Sequence, residues 1–260
     1  MTRLRVELYF LDFGNKQYVA NFLMENELNY EIIKDEKLFR EFIEWLPELE
    51  IHEKFYVALF ARKKYCAEVK YIKTDKAQVK RFLATKKDLY TKVKQLETEV
   101  GSYFVKGVEI PQEALALYIS VNPRDLERGT RQGLIKFATL LAQKYNGYNP
   151  VAEAMSEVHK ACSRKIWFDF DFDNANLDAT LRAVNEILPP TAYRIMMTRS
   201  GFHLIVHIPS LDKKISQTWY HGISALDGCD VKGDNLLPVA GCTQGNFVPH
   251  FMEGLSDTDI

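Results

Sequence analysis

Ile166-Trp167-Phe168-Asp169-Phe170-Asp171-Phe172-Asp173 is the stretch from which the rest of the chain is read. Successive side chains of a strand alternate faces at about 3.3 Å per residue. Phe168, Phe170 and Phe172 therefore point one way, and Asp169, Asp171 and Asp173 the other. Three carboxylates on one face of an apolar strand repel one another and lose solvation unless a cation lies among them. Oxygen-only ligation of this kind suits Mg²⁺ or Mn²⁺, which keep several waters and complete their shells with substrate phosphates. We read the stretch as a metal-holding strand.

The chain has 260 residues, enough for one large domain or two small lobes. It contains no apolar run long enough to span a bilayer, and MTRLRVELYF lacks the apolar core and cleavage site of a signal peptide. A soluble, intracellular protein without a membrane partner is expected. Cys66, Cys162, Cys229 and Cys242 are scattered without CxxC spacing, so neither a disulfide framework nor a zinc finger is indicated. The net charge is only −1, but it is segregated. Glu25 to Glu53 is acidic, whereas Arg62 to Lys94 carries twelve Lys and Arg against Glu68, Asp75 and Asp88. Such a tract is commonly a solvated surface, and it also supplies the local positive field that binds nucleic-acid phosphates.

In chain order, Leu4–Phe10 reads as a strand, residues 35–46 as a helix ending before Pro47, Phe55–Ala61 as a strand, and Lys76–Leu96 as helical. Ala114–Val121 reads as a strand meeting a helix capped by Asn122, with Pro123 at its first position. That helix is expected to reach Tyr145 and to bury Leu134, Phe137, Ala138, Leu141 and Tyr145. Arg124, Arg128 and Arg131 recur at i, i+4 and i+7 on it, an exposed basic face or a set of phosphate or template contacts. After the acidic strand come a helix over Leu177–Leu188, a hairpin turning at Thr198-Arg199-Ser200-Gly201, a polar helix over Ser210–Leu226, and strands Cys229–Val231 and Leu236–Ala240. The order predicts an α+β fold, a small mixed sheet with helices on one side.

Three pieces of this half carry chemistry: the Asp169/Asp171/Asp173 strand, Ser200-Gly201-Phe202-His203, and Asp230. A hydroxyl and an imidazole beside two divalent ions are phosphate contacts. His203 and His207 share a strand face but lie about 13 Å apart, too far to share one ion.

WFDFDFD, TRSGFHLIVHIP and CDVKGDNLLPVAGCTQGN, in this order, resemble the three motifs of the archaeo-eukaryotic primase superfamily, closest to the primase-polymerases of phages, plasmids and mobile replicons. The motifs cover Ile166 to Asn246, and LYISVNPRDLERGTR more loosely resembles the N-terminal half of such cores. The resemblance implies a two-lobed core. An acidic αβ segment (1–54) precedes a basic αβ module (55–165), an RRM-like catalytic module (166–253) and a tail (254–260). It implies Asp169, Asp171 and Asp230 as ligands of two Mg²⁺ or Mn²⁺ ions. Ser200 and His203, helped by Arg199, would hold the incoming nucleotide's phosphates. Basic residues that many relatives carry after the third motif are missing, which leaves Lys232 as the nearby cation; Asp173 has no counterpart. The implied activity is DNA primase or polymerase, with single-stranded DNA and NTP or dNTP as substrates and a helicase or other replication protein as partner. Two rivals stand beside it. One is a rolling-circle type nuclease using His203 or His207 with Tyr220; the other is a non-catalytic single-strand-binding sheet whose phenylalanines stack bases.

Overall fold

The structure, a computed structural model, describes residues 29–66, 72–75, 77–212 and 215–252. The strand expected over Leu4–Phe10, the basic residues Lys70 and Lys76, and the tail lie outside them. The described chain is a mixed α+β fold built on antiparallel sheets. None of its helices is long and apolar enough to cross a membrane.

Helix α1 (Glu36–Trp45) starts where the sequence places it. The Asp35 carboxylate accepts from Leu38 N, and Phe39, Phe42 and Ile43 are buried. Strand β1 (Glu53–Ala61) is almost wholly buried. The lysine-rich segment read as one helix divides into β2 (Ala77–Ala84) and α2 (Lys86–Lys94). Antiparallel pairing with the apolar β1 overrides local helix propensity in its first half. The Asp88 carboxylate then accepts from Thr85 N at 2.6 Å and opens the helix. A small hairpin, β3 (Phe104–Val105) and β4 (Val108–Glu109), precedes β5 (Leu115–Ser120).

The helix after β5 begins later than expected. Asn122 is not its N-cap: the chain forms β6 (Arg124–Asp125), and α3 (Leu126–Leu141) starts on the Asp125 carboxylate. Nor does α3 bury its apolar side, since Leu134 is 64 % and Leu141 77 % exposed, and Tyr145 lies beyond its end. It packs instead on α4 (Pro150–Lys160) at Gly129, closely enough that a Cβ there would lie 3.0 Å from Val158.

The second half follows the expected order: β7 (Trp167–Asp173), α5 (Leu177–Ile187), β8 (Tyr193–Thr198), β9 (Gly201–His207), α6 (Trp219–Ser224), β10 (Cys229–Gly233), β11 (Leu236–Pro238) and β12 (His250–Phe251). The polar helix is shorter than Ser210–Leu226, with 3₁₀ turns over Ile208–Ser210 and Ile215–Gln217 before it. One sheet runs β11-β5-β1-β2, with β6 against the start of β1; the other runs β10-β7-β9-β8-β12. Among the described residues every strand pair is antiparallel, where a mixed sheet was expected. β10 and β11 are consecutive, so the chain passes between the two sheets through the Asp234-Asn235 turn.

The alternation of β7 divides the second sheet. Phe170 and Phe172 are fully buried with Val184 of α5 and Trp219 and Ile223 of α6. Phe168 packs against the same core, so these rings are structural and present no stacking surface to a nucleic acid. The other face is shared. Trp167, Ile205 and Met196 join the core of the first sheet, while the acidic end of β7 stays outside it.

Asn122 fastens the two sheets. Its Oδ1 accepts from Ile166 N at 2.9 Å and Trp167 N at 2.8 Å; its amide donates to Trp167 O and to Asp234 Oδ1, each at 2.8 Å. Both donors and both lone pairs are thus used in a fully buried side chain. Arg124, 1 % exposed, ion-pairs with Asp234 of the turn between β10 and β11, so it is a structural residue and not a phosphate contact. Arg164 grips Glu53 with Nε and Nη2 at 2.9 and 2.7 Å; burial would raise the Glu53 carboxyl, but these bonds, with those from Ser163 and the Glu50 backbone, hold it down at about 2. Asn122→Ala would leave Ile166 N, Trp167 N and Trp167 O buried without partners. It is expected to cost about 2–4 kcal/mol, read as a lower denaturation midpoint at unchanged slope.

Candidate functional site

The β7 register decides what the acids meet. Asp171 lies directly opposite His203 on β9 and directly opposite Asp230 on β10. Cross-strand partners share a face, so three residues from three separated motifs are side by side. His203 Nδ1 is 2.7 Å from Asp169 Oδ1, and its Nε2 is 3.5 Å from Asp171 Oδ1. Lys232, two residues along β10 from Asp230, ion-pairs with Asp230 and reaches Asp171 Oδ2 at 3.4 Å. Gly201 makes the β7–β9 approach possible, because a Cβ there would lie 1.9 Å from the Phe172 carbonyl oxygen.

The electrostatics follow from this crowding. Burial, reinforced by Asp173 and Asp169, raises the Asp171 carboxyl above its usual range, against the pull of His203 and Lys232. Burial disfavours an imidazolium at His203, but Asp169 and Asp171 outweigh it and raise the ring. Lys232 is raised by Asp230 and Asp171 against its own desolvation.

Asp171, His203 and Lys232 open on a cleft of about 600 Å³ between the sheets. Asp171, Asp173, His203 and Lys232 line one side with Thr198 and Ser200 of the hairpin turn. Phe60, Arg62, Lys64, Tyr118 and Leu236 line it from the first sheet and its adjoining loop. Arg62 donates to the Tyr118 hydroxyl, and its guanidinium lies 5.2 Å from that ring and 5.5 Å from the ring of Tyr65.

The expected site residues therefore separate into two groups. Asp169, Asp171, Asp230, His203 and Lys232 come together, and Ser200 lines the same cleft. Arg199 is not among the residues lining the cleft: its guanidinium sits 4.6 Å over the Tyr65 ring and its backbone N–H donates to Gln244 Oε1 at 2.9 Å. Arg128 donates to Cys162 O at 3.3 Å, and Arg131 pairs with Glu127 on an exposed helix face. With Arg124 buried, the three arginines do not form one phosphate-binding face. Tyr118 went unnoticed because only the pairing of β5 with β1 puts it beside Phe60, and Tyr65 carries no sequence signal.

As the side chains stand, no group of three or more His, Cys, Asp or Glu among the described residues is arranged to hold a metal ion. His203 and Lys232 fill the space between the carboxylates. The donor set nevertheless fits a hard cation. It is carboxylate oxygen, Asp171 and Asp230 already share one cation, and Asp169 Oδ2 is buried without a hydrogen-bond partner. Compared with known proteins, the chain matches no family model, no curated protein and no solved structure.

The Asp169–His203 pair makes a prediction about pH. A raised folded-state value means that the imidazolium's stabilisation is fully present below about pH 6.5 and is lost as pH rises through the folded value. Unfolding free energy measured by denaturant titration should fall over that window in the wild type. The fall should be smaller in Asp169→Asn, which removes the principal partner charge.

Proposed function

We propose that this chain is a template-dependent nucleotidyltransferase of the primase-polymerase kind. A primer 3′-hydroxyl, or the hydroxyl of an initiating nucleotide, attacks the α-phosphorus of an NTP or dNTP. The P–O bond to the leaving pyrophosphate breaks as the new one forms. The observation that carries this reading is the double opposition at Asp171, which unites the DxD strand, the Ser-Gly-Phe-His hairpin and the third acidic strand on one cleft wall.

Asp169, Asp171 and Asp230 would hold Mg²⁺ or Mn²⁺, which would supply a lowered pKa at the attacking hydroxyl and charge stabilisation on the leaving group. The chain's own groups do the rest. Ser200 offers a hydroxyl donor to the phosphates at the hairpin turn, and Lys232 offers an ammonium on the same side. Arg62 and Lys64 face them across the cleft, and Phe60 and Tyr118 provide ring surface for a base. His203 is the positioning residue for Asp169. The template must reach the cleft as a single strand, so a strand-separating protein is the partner this reading calls for.

A specific observation weighs against the nuclease alternative. Tyr220 packs edge-on against Phe168 and contacts Phe170, on the helix side of the sheet and away from His203. Primer extension on single-stranded DNA templates with Mg²⁺ or Mn²⁺ is the direct test. Extension should be present in the wild type and fall about a hundredfold or more in both Asp171→Ala and Asp230→Ala. Wild-type inactivity on every template, or full activity of Asp171→Ala, contradicts the proposal.

A further inference from the structure

The acids of the cleft are already neutralised from within the chain. Asp171 and Asp230 are like charges placed directly opposite each other, an arrangement that destabilises a sheet unless a cation intervenes. Lys232 is that cation. It reaches both carboxylates, while Arg124 is committed to Asp234, and Arg62 is held across the cleft by Tyr118. His203 Nδ1 lies 2.7 Å from Asp169 Oδ1. The two positions differ in freedom. His203 is 7 % exposed with its ring fixed between strands, whereas the Lys232 side chain is 28 % exposed, on an edge strand, with a flexible stem and the cleft beside it.

We propose that Lys232 is a displaceable internal counter-ion that competes with a divalent cation for the carboxylates of Asp171 and Asp230. The inference rests on the reading of these acids as the metal site given above. A divalent ion taking those oxygens leaves an ammonium and a metal within a few ångströms of each other, so the ammonium must leave. Its stem keeps it at the cleft, where an anionic polyphosphate provides the replacement partner. Metal and polyphosphate then favour each other's binding through one side chain, and Lys232 holds the acid pair together when neither is present.

The experiment is Mn²⁺ binding to the full chain, followed by electron paramagnetic resonance of free Mn²⁺, with and without inorganic triphosphate at concentrations corrected for Mn²⁺ it chelates in solution. Wild type should bind Mn²⁺ weakly alone and about tenfold more tightly with triphosphate, the scale of an ordinary coupling between two ligands. Lys232→Met should bind Mn²⁺ alone about tenfold more tightly than wild type and lose most of that coupling. Lys232→Arg, which keeps the charge, should bind Mn²⁺ alone as weakly as wild type and serves as the folded control. If Asp171→Asn abolishes Mn²⁺ binding but Lys232→Met leaves it unchanged or weaker, the counter-ion role is overturned while the metal site stands. If wild type, Lys232→Met and Asp171→Asn all fail to bind Mn²⁺ with triphosphate present, the metal reading falls and the counter-ion role with it.

Discussion

Strand β7 lies between two other strands and must place its acids on a face that protein, and not bulk water, covers in part. The period of two leaves no other choice: the phenylalanines need the α5–α6 side, so the carboxylates take the side that meets the first sheet. A shift of one residue in register would bury three aspartates in an apolar core, an uncompensated desolvation far larger than a domain's net stability. The site thus follows from the packing of the opposite face. The partners of these acids, His203 and Lys232, come from the two strands that flank β7, because those are the positions from which a side chain reaches the same face.

The second constraint sets how far the sheets separate. At the Trp167 end they share one core, with Trp45 and Trp167 rings 4.8 Å apart, and the Asn122 and Arg124 contacts fix the chain crossing at Asp234. At the Asp173 end no such core joins them among the described residues, and the cleft opens. The same strand therefore passes from buried tryptophan to exposed aspartate over seven residues.

Much of this was legible in the sequence, because alternation and motif spacing act locally. The Phe/Asp alternation, the Thr198–Gly201 turn and the helix over Leu177–Leu188 are patterns of neighbouring residues, and they hold. What was not legible depends on partners distant in the chain. Asn122 has the features of a helix cap, but its amide matches the backbone of residues 166 and 167 more completely than it would a helix end. Arg124 falls in step with Arg128 and Arg131, but Asp234, 110 residues away, removes it from the surface. The apolar side of α3 was assigned to a core that the glycine contact with α4 does not provide.

On the reading proposed above, the acids on β7 and β10 form one divalent-cation site at which nucleotide phosphates bind. Anomalous diffraction from crystals of the protein soaked with Mn²⁺ and a non-hydrolysable dNTP analogue tests it most directly. Mn²⁺ peaks are expected within coordination distance of carboxylate oxygens of Asp171 and Asp230, with the triphosphate reaching Ser200 and the Lys232 ammonium moved off the acids onto it. Nucleotide bound elsewhere, or bound in the cleft with Lys232 still on both carboxylates and no peak between them, would contradict it.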